Sequence, residues 1–151
     1  MKSTIKLLVA GISFMIMLGF MIGCGDKAPA MPDNIAVKLL MKKYGEASAE
    51  QDFKTLRKIY TPDIKSRTIH PQGVSNMTGP DQIIDAAKGF KVENMKNKSI
   101  KFNEIEGNNT SVILVNNFTM PMMGDVESEM VIGMVKIKGK WYINNIENTI
   151  Y

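Results

Sequence analysis

The chain has 151 residues, with 19 basic and 15 acidic side chains, one histidine and one cysteine. One cysteine cannot form a disulfide within the chain, and one histidine without further thiols cannot supply a usual zinc site. Two of the basic residues, Lys2 and Lys6, lie in a segment that we expect to be removed. The remaining 17 basic and 15 acidic residues give no argument for nucleic-acid binding, and we expect no metal or other cofactor.

The N-terminus has the pattern of an export signal. Lys2 and Lys6 precede an apolar run, Leu7 to Ile22, that contains no acidic residue and ends in Gly23-Cys24. An uncleaved helical anchor is the alternative, but the run is shorter than the ~20 residues that span a bilayer. Residues 1–23 therefore form a predicted signal peptide.

The end of this segment, Met21-Ile22-Gly23-Cys24, resembles the lipobox of bacterial lipoproteins, although Leu is usual where Met21 stands. The resemblance implies cleavage before Cys24 and attachment of fatty acyl chains such as palmitate. Two or more acyl chains hold a protein stably on a membrane that it does not span. We thus expect an extracytoplasmic, membrane-anchored protein, on the outer membrane if the bacterium has one and otherwise on the outer face of the cell membrane.

Residues 24–32 contain two prolines and no periodicity, which predicts a short tether after Cys24. Residues 33–151 are long enough for one domain with one core. Helical spacing of apolar residues predicts a helix over Asn34–Ser48 and a second over Asp52–Tyr60, with Asp52 as N-cap. A short strand is expected over Ile64–His70, and a third helix over Pro80–Gly89.

From Lys96 onward the pattern changes to the alternation typical of strands. The turns at Gly107, Pro121 and Gly139 separate four strands. The predicted strands are Ser99–Ile105, Thr110–Met120, Val126–Ile137 and Trp141–Ile150. Helices first and an antiparallel four-stranded meander last predict an α+β fold with the helices packed on a curved sheet.

The order of these elements resembles the nuclear transport factor 2-like superfamily, in which helices and a curved sheet form a cone. Three features carry the resemblance: the long helix followed by the short Asp52–Tyr60 helix, the strand before the Pro80 helix, and Gly139-Lys140-Trp141-Tyr142-Ile143 at the last turn. The resemblance covers nearly all of residues 33–151. It implies a small lipoprotein whose domain binds an apolar small molecule or an envelope protein.

His70 is the candidate catalytic residue for an alternative function, because enzymes of this superfamily use a proton-transferring residue in the cone. We consider a dehydratase or isomerase in which His70 acts as acid or base beside Asp63, Tyr44 or Tyr60. The competing interpretation is a solvent-exposed histidine next to the Pro71 turn. We expect a binding protein rather than an enzyme.

The candidate ligand-pocket residues are Tyr44, Tyr60, Met130, Ile132 and Met134. Met130, Ile132 and Met134 share one strand face, as expected for a core or the wall of a pocket. Clustered methionines, with Met120, Met122 and Met123 close by, also suit Cu(I), although methionine more commonly fills gaps in a core.

The sequence also predicts properties of two surfaces, one on the first two helices and one on the sheet. Lysines on the first two helices could face anionic lipid near the anchor, but the interleaved acidic residues favour an ordinary solvated face. The central strands, Val112–Val115 and Met130–Val135, carry apolar residues at both parities, which predicts that neither face of the sheet is open to water. We expect either a homodimer through the sheet or a filled apolar cavity.

Overall fold

The computed structural model describes residues 30–89, 93–120 and 124–151. These residues form three helices and six strands, and the six strands form one sheet. The predicted signal peptide, Cys24 and most of the tether lie outside the described residues. The elements are α1 (Asp33–Ala49), α2 (Phe53–Ile59), β1 (Tyr60–His70), β2 (Gly73–Thr78), α3 (Pro80–Lys88), β3 (Glu93–Phe102), β4 (Asn109–Met120), β5 (Gly124–Ile137) and β6 (Lys140–Ile150).

The helices begin where their capping residues indicate. The Asp52 side chain accepts a hydrogen bond from the Thr55 N–H at 3.0 Å, so Asp52 is the N-cap of α2. Pro80 occupies the first turn of α3, after Gly79 with a φ of 84°. The predicted helices are confirmed to within one or two residues at each end.

The sheet has the strand order β2-β1-β6-β5-β4-β3, so the prediction of a four-stranded sheet is wrong. Strands β3 to β6 do form the predicted antiparallel meander. Beyond these four strands, the sheet contains β1, which pairs in parallel with β6, and β2, which pairs in antiparallel with β1. Strand β2 was missed because its residues are almost all exposed, and an edge strand without a buried face has no apolar alternation to detect.

One side of the sheet, which we call the inner face, packs against the helices. Val112, Ile132 and Ile146 lie side by side on β4, β5 and β6, and each is at most 5% exposed. They belong to a main core cluster that includes Leu40 of α1 and Ile84 of α3. Residues Met31–Tyr151 form one compact unit around this core, so this fragment has what a domain needs to fold alone.

Asp33 joins the start of α1 to the last hairpin of the sheet. One carboxylate oxygen accepts the Trp141 indole N–H at 3.0 Å and lies 2.7 Å from the Lys136 ammonium. Lys136 and Trp141 are cross-strand partners on β5 and β6. The pKa of Asp33 is lowered below its usual 3.8, mainly by the hydrogen bond from Lys136 and to a smaller extent by the one from Trp141. Trp141 itself is buried in the main core cluster.

The outer face of the sheet is apolar at its centre. Ile113 pairs with Val131, and both are half-buried, as are Val115 and Val135. Charged residues border them, with Glu129 opposite Val115 and Glu147 opposite Val131. Both faces of the central strands are therefore apolar, as the sequence pattern indicates.

Candidate functional site

The structure separates His70 from its proposed partners. His70 ends β1, and its Nδ1 accepts a hydrogen bond from the Gln72 N–H at 3.2 Å within the exposed turn. Tyr60 begins the same strand opposite Ile143 of β6, whereas Ile69, next to His70, is opposite Thr149, and these two β6 residues are six positions or about 20 Å apart. Asp63 is exposed and lies seven residues before His70 in the same strand. The strand thus does not bring His70 together with Tyr60 or Asp63.

The five ligand-pocket candidates, by contrast, do come together. The rings of Tyr44 and Tyr60 lie 6.5 Å apart at an angle of 51°. The Tyr44 hydroxyl reaches from α1 to the Met130 sulfur on β5, at 3.8 Å. Ile132 and Met134 lie on the same strand face and are at most 1% exposed. Tyr60, Ile132 and Met134 are therefore core residues, whereas Tyr44 and Met130 are half-buried at the edge of the main core cluster.

Both tyrosines are held in their neutral form. Burial raises the pKa of the Tyr44 hydroxyl, and a hydrogen bond with Ser48 opposes this only in part. Burial also raises the pKa of Tyr60, with a smaller contribution from Tyr44. At neutral pH these hydroxyls can donate a hydrogen bond to a ligand, but they cannot serve as bases.

Three polar side chains that were not predicted lie next to Met130 on the inner face. Asn116 of β4 is directly opposite Ser128 of β5, and Asn148 of β6 is directly opposite Met130. Directly opposite residues on paired strands have Cβ atoms roughly 4.5–5.5 Å apart. We call Asn116, Ser128 and Asn148 the amide patch.

The amide patch lies between two apolar regions. On one side is the main core cluster beneath the helices, and on the other is a second cluster formed by Phe118, Val126 and Ile150. Asn116 and Ser128 are only 3% and 1% exposed, so they are polar groups withdrawn from water. The inner face is therefore apolar at both ends and polar in the middle.

Two oxygens of the amide patch have no hydrogen-bond partner. The side-chain oxygens of Asn116 and Asn148 are both buried and unpaired among the described residues. A buried acceptor without a donor costs about 1–3 kcal/mol, and such groups are rare in folded proteins. A bound molecule with N–H or O–H groups would supply the missing donors.

Metal ligation has little support in the described part of the chain. Residues 30–89, 93–120 and 124–151 contain no group of three histidine, cysteine or acidic side chains placed to hold a metal. Of the methionines considered for Cu(I), Met130 accepts the Tyr44 hydroxyl and Met134 is packed in the core. Met122 and Met123 lie outside the described residues.

A separate groove of about 380 Å³ lies where α1, α2 and the turn between β5 and β6 come together. Its apolar floor includes Leu40, Ile59 and Trp141, and Lys43 and Lys58 stand among its lining residues. None of the five ligand-pocket candidates lines this groove. In the described residues, no helix is both long enough and apolar enough to cross a membrane.

The sequence matches no protein-family model and no curated protein. Solved structures are similar in fold. An uncharacterised protein with a cystatin-like fold from Caulobacter vibrioides has a TM-score of 0.65 at 18% identity, over 78% of this chain and 89% of that one. A nuclear transport factor 2-like protein from Cytophaga hutchinsonii has a TM-score of 0.64 at 16% identity, over 80% and 100%. A candidate ketosteroid isomerase from Shewanella frigidimarina has a TM-score of 0.61 at 12% identity, over 75% and 94%.

At these identities the similarity concerns the fold and does not extend to activity. It agrees with the element order described above, in which three helices cover one face of a curved six-stranded sheet. The described domain therefore has the nuclear transport factor 2-like, or cystatin-like, α+β fold.

Proposed function

We propose that this protein is a membrane-anchored binding protein whose inner sheet face receives a small, largely apolar molecule with hydrogen-bond donors. The observation that carries the proposal is the amide patch, in which the oxygens of Asn116 and Asn148 are buried and unpaired between two apolar clusters. Ligand sites are commonly apolar with a few placed polar groups. The Tyr44 hydroxyl has a hydrogen bond with Ser48 and donates its own proton to the weak acceptor Met130, so its O–H group adds a donor from the helix side.

Binding without catalysis is favoured over the isomerase or dehydratase alternative. In the described residues, the buried polar side chains are Thr61, Ser66, Asn116 and Ser128, none of which titrates near neutral pH. General acid–base chemistry needs a titrating group within hydrogen-bond reach of the substrate. His70, the sequence candidate, instead bonds to its own turn at the far end of β1 from Tyr60.

The membrane anchor is supported by the sequence. Met21-Ile22-Gly23-Cys24 ends an apolar segment, and Cys24 is the one cysteine available for lipid attachment. We propose that Cys24 carries the lipid, that the tether follows it, and that the domain functions outside the cytoplasm.

The apolar centre of the outer face supports a homodimer through the sheet. Ile113, Val115, Val131 and Val135 form this centre, and the neighbouring Glu129 and Glu147 give it a charged border. Apolar patches of this kind on soluble domains mark contact surfaces. Light scattering on the Met31–Tyr151 fragment should report twice the monomer mass, and a Val131→Lys variant should report the monomer mass.

The ligand proposal is tested with the same fragment. Native mass spectrometry should detect a retained small molecule, or the ligand-free protein should bind N-phenyl-1-naphthylamine, an uncharged apolar dye with one N–H donor, at the inner face. Asn116→Leu should weaken this binding by about 5- to 150-fold, because the loss of one hydrogen bond to a buried partner is worth about 1–3 kcal/mol.

The matched control is Asn117→Leu. Asn117 is the next residue of β4, points to the outer face, and also has a buried oxygen without a partner among the described residues. This variant should bind the dye as the wild type does. Equal binding by both variants, or a fragment that retains no ligand and binds no dye, would show that the amide patch is not a ligand site.

A further inference from the structure

The groove between α1, α2 and the β5–β6 turn combines an apolar floor with a cationic rim. Its lining contains Lys43 of α1, Lys58 of α2 and Lys140 at the start of β6, and no acidic residue. The described ion pairs involve Lys42, Lys88, Lys98 and Lys136 but none of these three lysines. The Lys140 ammonium lies 5.1 Å from the centre of the Tyr142 ring, which does not neutralise its charge. None of the three lysines is thus paired with a carboxylate in the described part of the protein.

Apolar side chains extend beyond the groove on the same part of α1. Met31, Ile35 and Leu39 follow one another at intervals of four residues, and between 46% and 55% of each is exposed. Residues four apart lie on one side of a helix, so Ile35 and Leu39 form an exposed apolar stripe. Met31 and Leu39 also line the groove.

The groove lies at the end of the domain where the tether enters. Met31 is seven residues after Cys24, and seven extended residues span at most about 25 Å. A lipid on Cys24 would therefore keep the groove within this distance of the membrane surface. This step rests on the proposed anchor, whereas the lysines and the apolar stripe are properties of the domain itself.

We propose that this groove and stripe are a second membrane contact, which docks the domain on a bilayer that contains anionic phospholipids. The lysines would face the lipid phosphates, and Met31, Ile35 and Leu39 would enter the interface between headgroups and acyl chains. Lysine stems can lie along apolar surface while their ammonium groups contact phosphate. The anchored domain would then be oriented with the start of α1 and the turn between β5 and β6 towards the membrane.

The test uses the Met31–Tyr151 fragment, which lacks Cys24 and contains the complete described core. Sedimentation with vesicles of phosphatidylcholine alone is compared with vesicles that also contain phosphatidylglycerol. The fragment should bind the anionic vesicles and should not bind the neutral ones. Binding to the anionic vesicles should weaken when the ionic strength is raised to about 1 M, where the Debye length is about 3 Å.

Neutralising the rim should weaken this binding. Each lysine near an anionic membrane contributes about 1 kcal/mol, or about fivefold, so Lys43→Gln, Lys58→Gln and Lys140→Gln together should weaken binding about a hundredfold. The matched control neutralises Lys65, Lys96 and Lys101, which are exposed and do not line the groove. These lysines lie on the outer face of the sheet, so light scattering must report the wild-type mass for the control variant. Leu39→Ser should weaken binding of the anionic vesicles without changing the net charge.

Several results would overturn the proposal. One is wild-type binding that does not depend on phosphatidylglycerol, and another is an equal loss in the groove and control variants. Unfolding curves are measured for both triple variants, and each variant should unfold as the wild type does. Dye binding at the inner face should be the same in the groove variant as in the wild type, so failure of this proposal and failure of the ligand proposal give different results.

Discussion

Asn116→Leu should stabilise the domain while it impairs ligand binding. The Asn116 side chain is 3% exposed, and its oxygen has no partner among the described residues. An unpaired buried acceptor costs about 1–3 kcal/mol, and leucine has the same branched arrangement of side-chain atoms without the polar groups. Neighbours on the same face, Leu114 and Phe118, offer apolar contacts. The free energy of unfolding should therefore rise by about 1–3 kcal/mol.

The measurement is thermal and urea unfolding of the ligand-free Met31–Tyr151 fragment. For a domain of this size, the expected gain corresponds to a rise in Tm of roughly 3–12 °C. A gain in stability at the expense of binding is typical of residues kept for function. If Asn116→Leu instead lowers the free energy of unfolding by about 1 kcal/mol or more, the amide forms hydrogen bonds that hold the sheet together, and the reasoning about the amide patch fails.

Three further results are expected. Trp141→Ala should lower the free energy of unfolding by about 3–5 kcal/mol in a denaturation curve, because Trp141 is 4% exposed in the main core cluster; a loss below about 1 kcal/mol would contradict this. Asp33→Asn should destabilise the fragment at neutral pH, and since the pKa of Asp33 is lowered in the folded state, the difference from wild type should shrink as the pH falls below 3.8. The same difference at all pH values would exclude the ion pair as its cause. Cys24→Ala should abolish fatty-acid labelling and membrane retention in cells, and unchanged labelling would refute lipid attachment at Cys24.

The elements of this fold were predictable because their signals are local. Apolar residues at helical spacing defined α1, and the capping side chain of Asp52 and the proline at position 80 marked the starts of α2 and α3. Turn residues such as Gly139, with a φ of 81°, separated the strands of the meander. The capping interactions and turns are made within a few residues, so a short stretch of chain contains the information.

Pairing between distant strands was not predictable in the same way. The parallel contact of β1 with β6 joins residues about eighty positions apart, such as Ser66 and Ile146, and no local pattern encodes it. The length of β1 also argues against the hypothesis that His70 is a catalytic acid or base. The resemblance to the superfamily suggested that His70 could lie near Tyr60, but the two residues stand at opposite ends of one strand.

The candidate site likewise combines positions that the sequence can predict with positions that depend on pairing between strands. Asn116 has the same parity as the buried Val112, Leu114 and Phe118, so its inward position could have been read from strand alternation. Its placement opposite Ser128, and that of Asn148 opposite Met130, depends on the register of β4, β5 and β6. The sequence by itself determined the helices and the meander and predicts the export signal, because each has a local pattern. Only the tertiary structure decided which polar groups lie buried together without partners, because burial and register arise from contacts between strands.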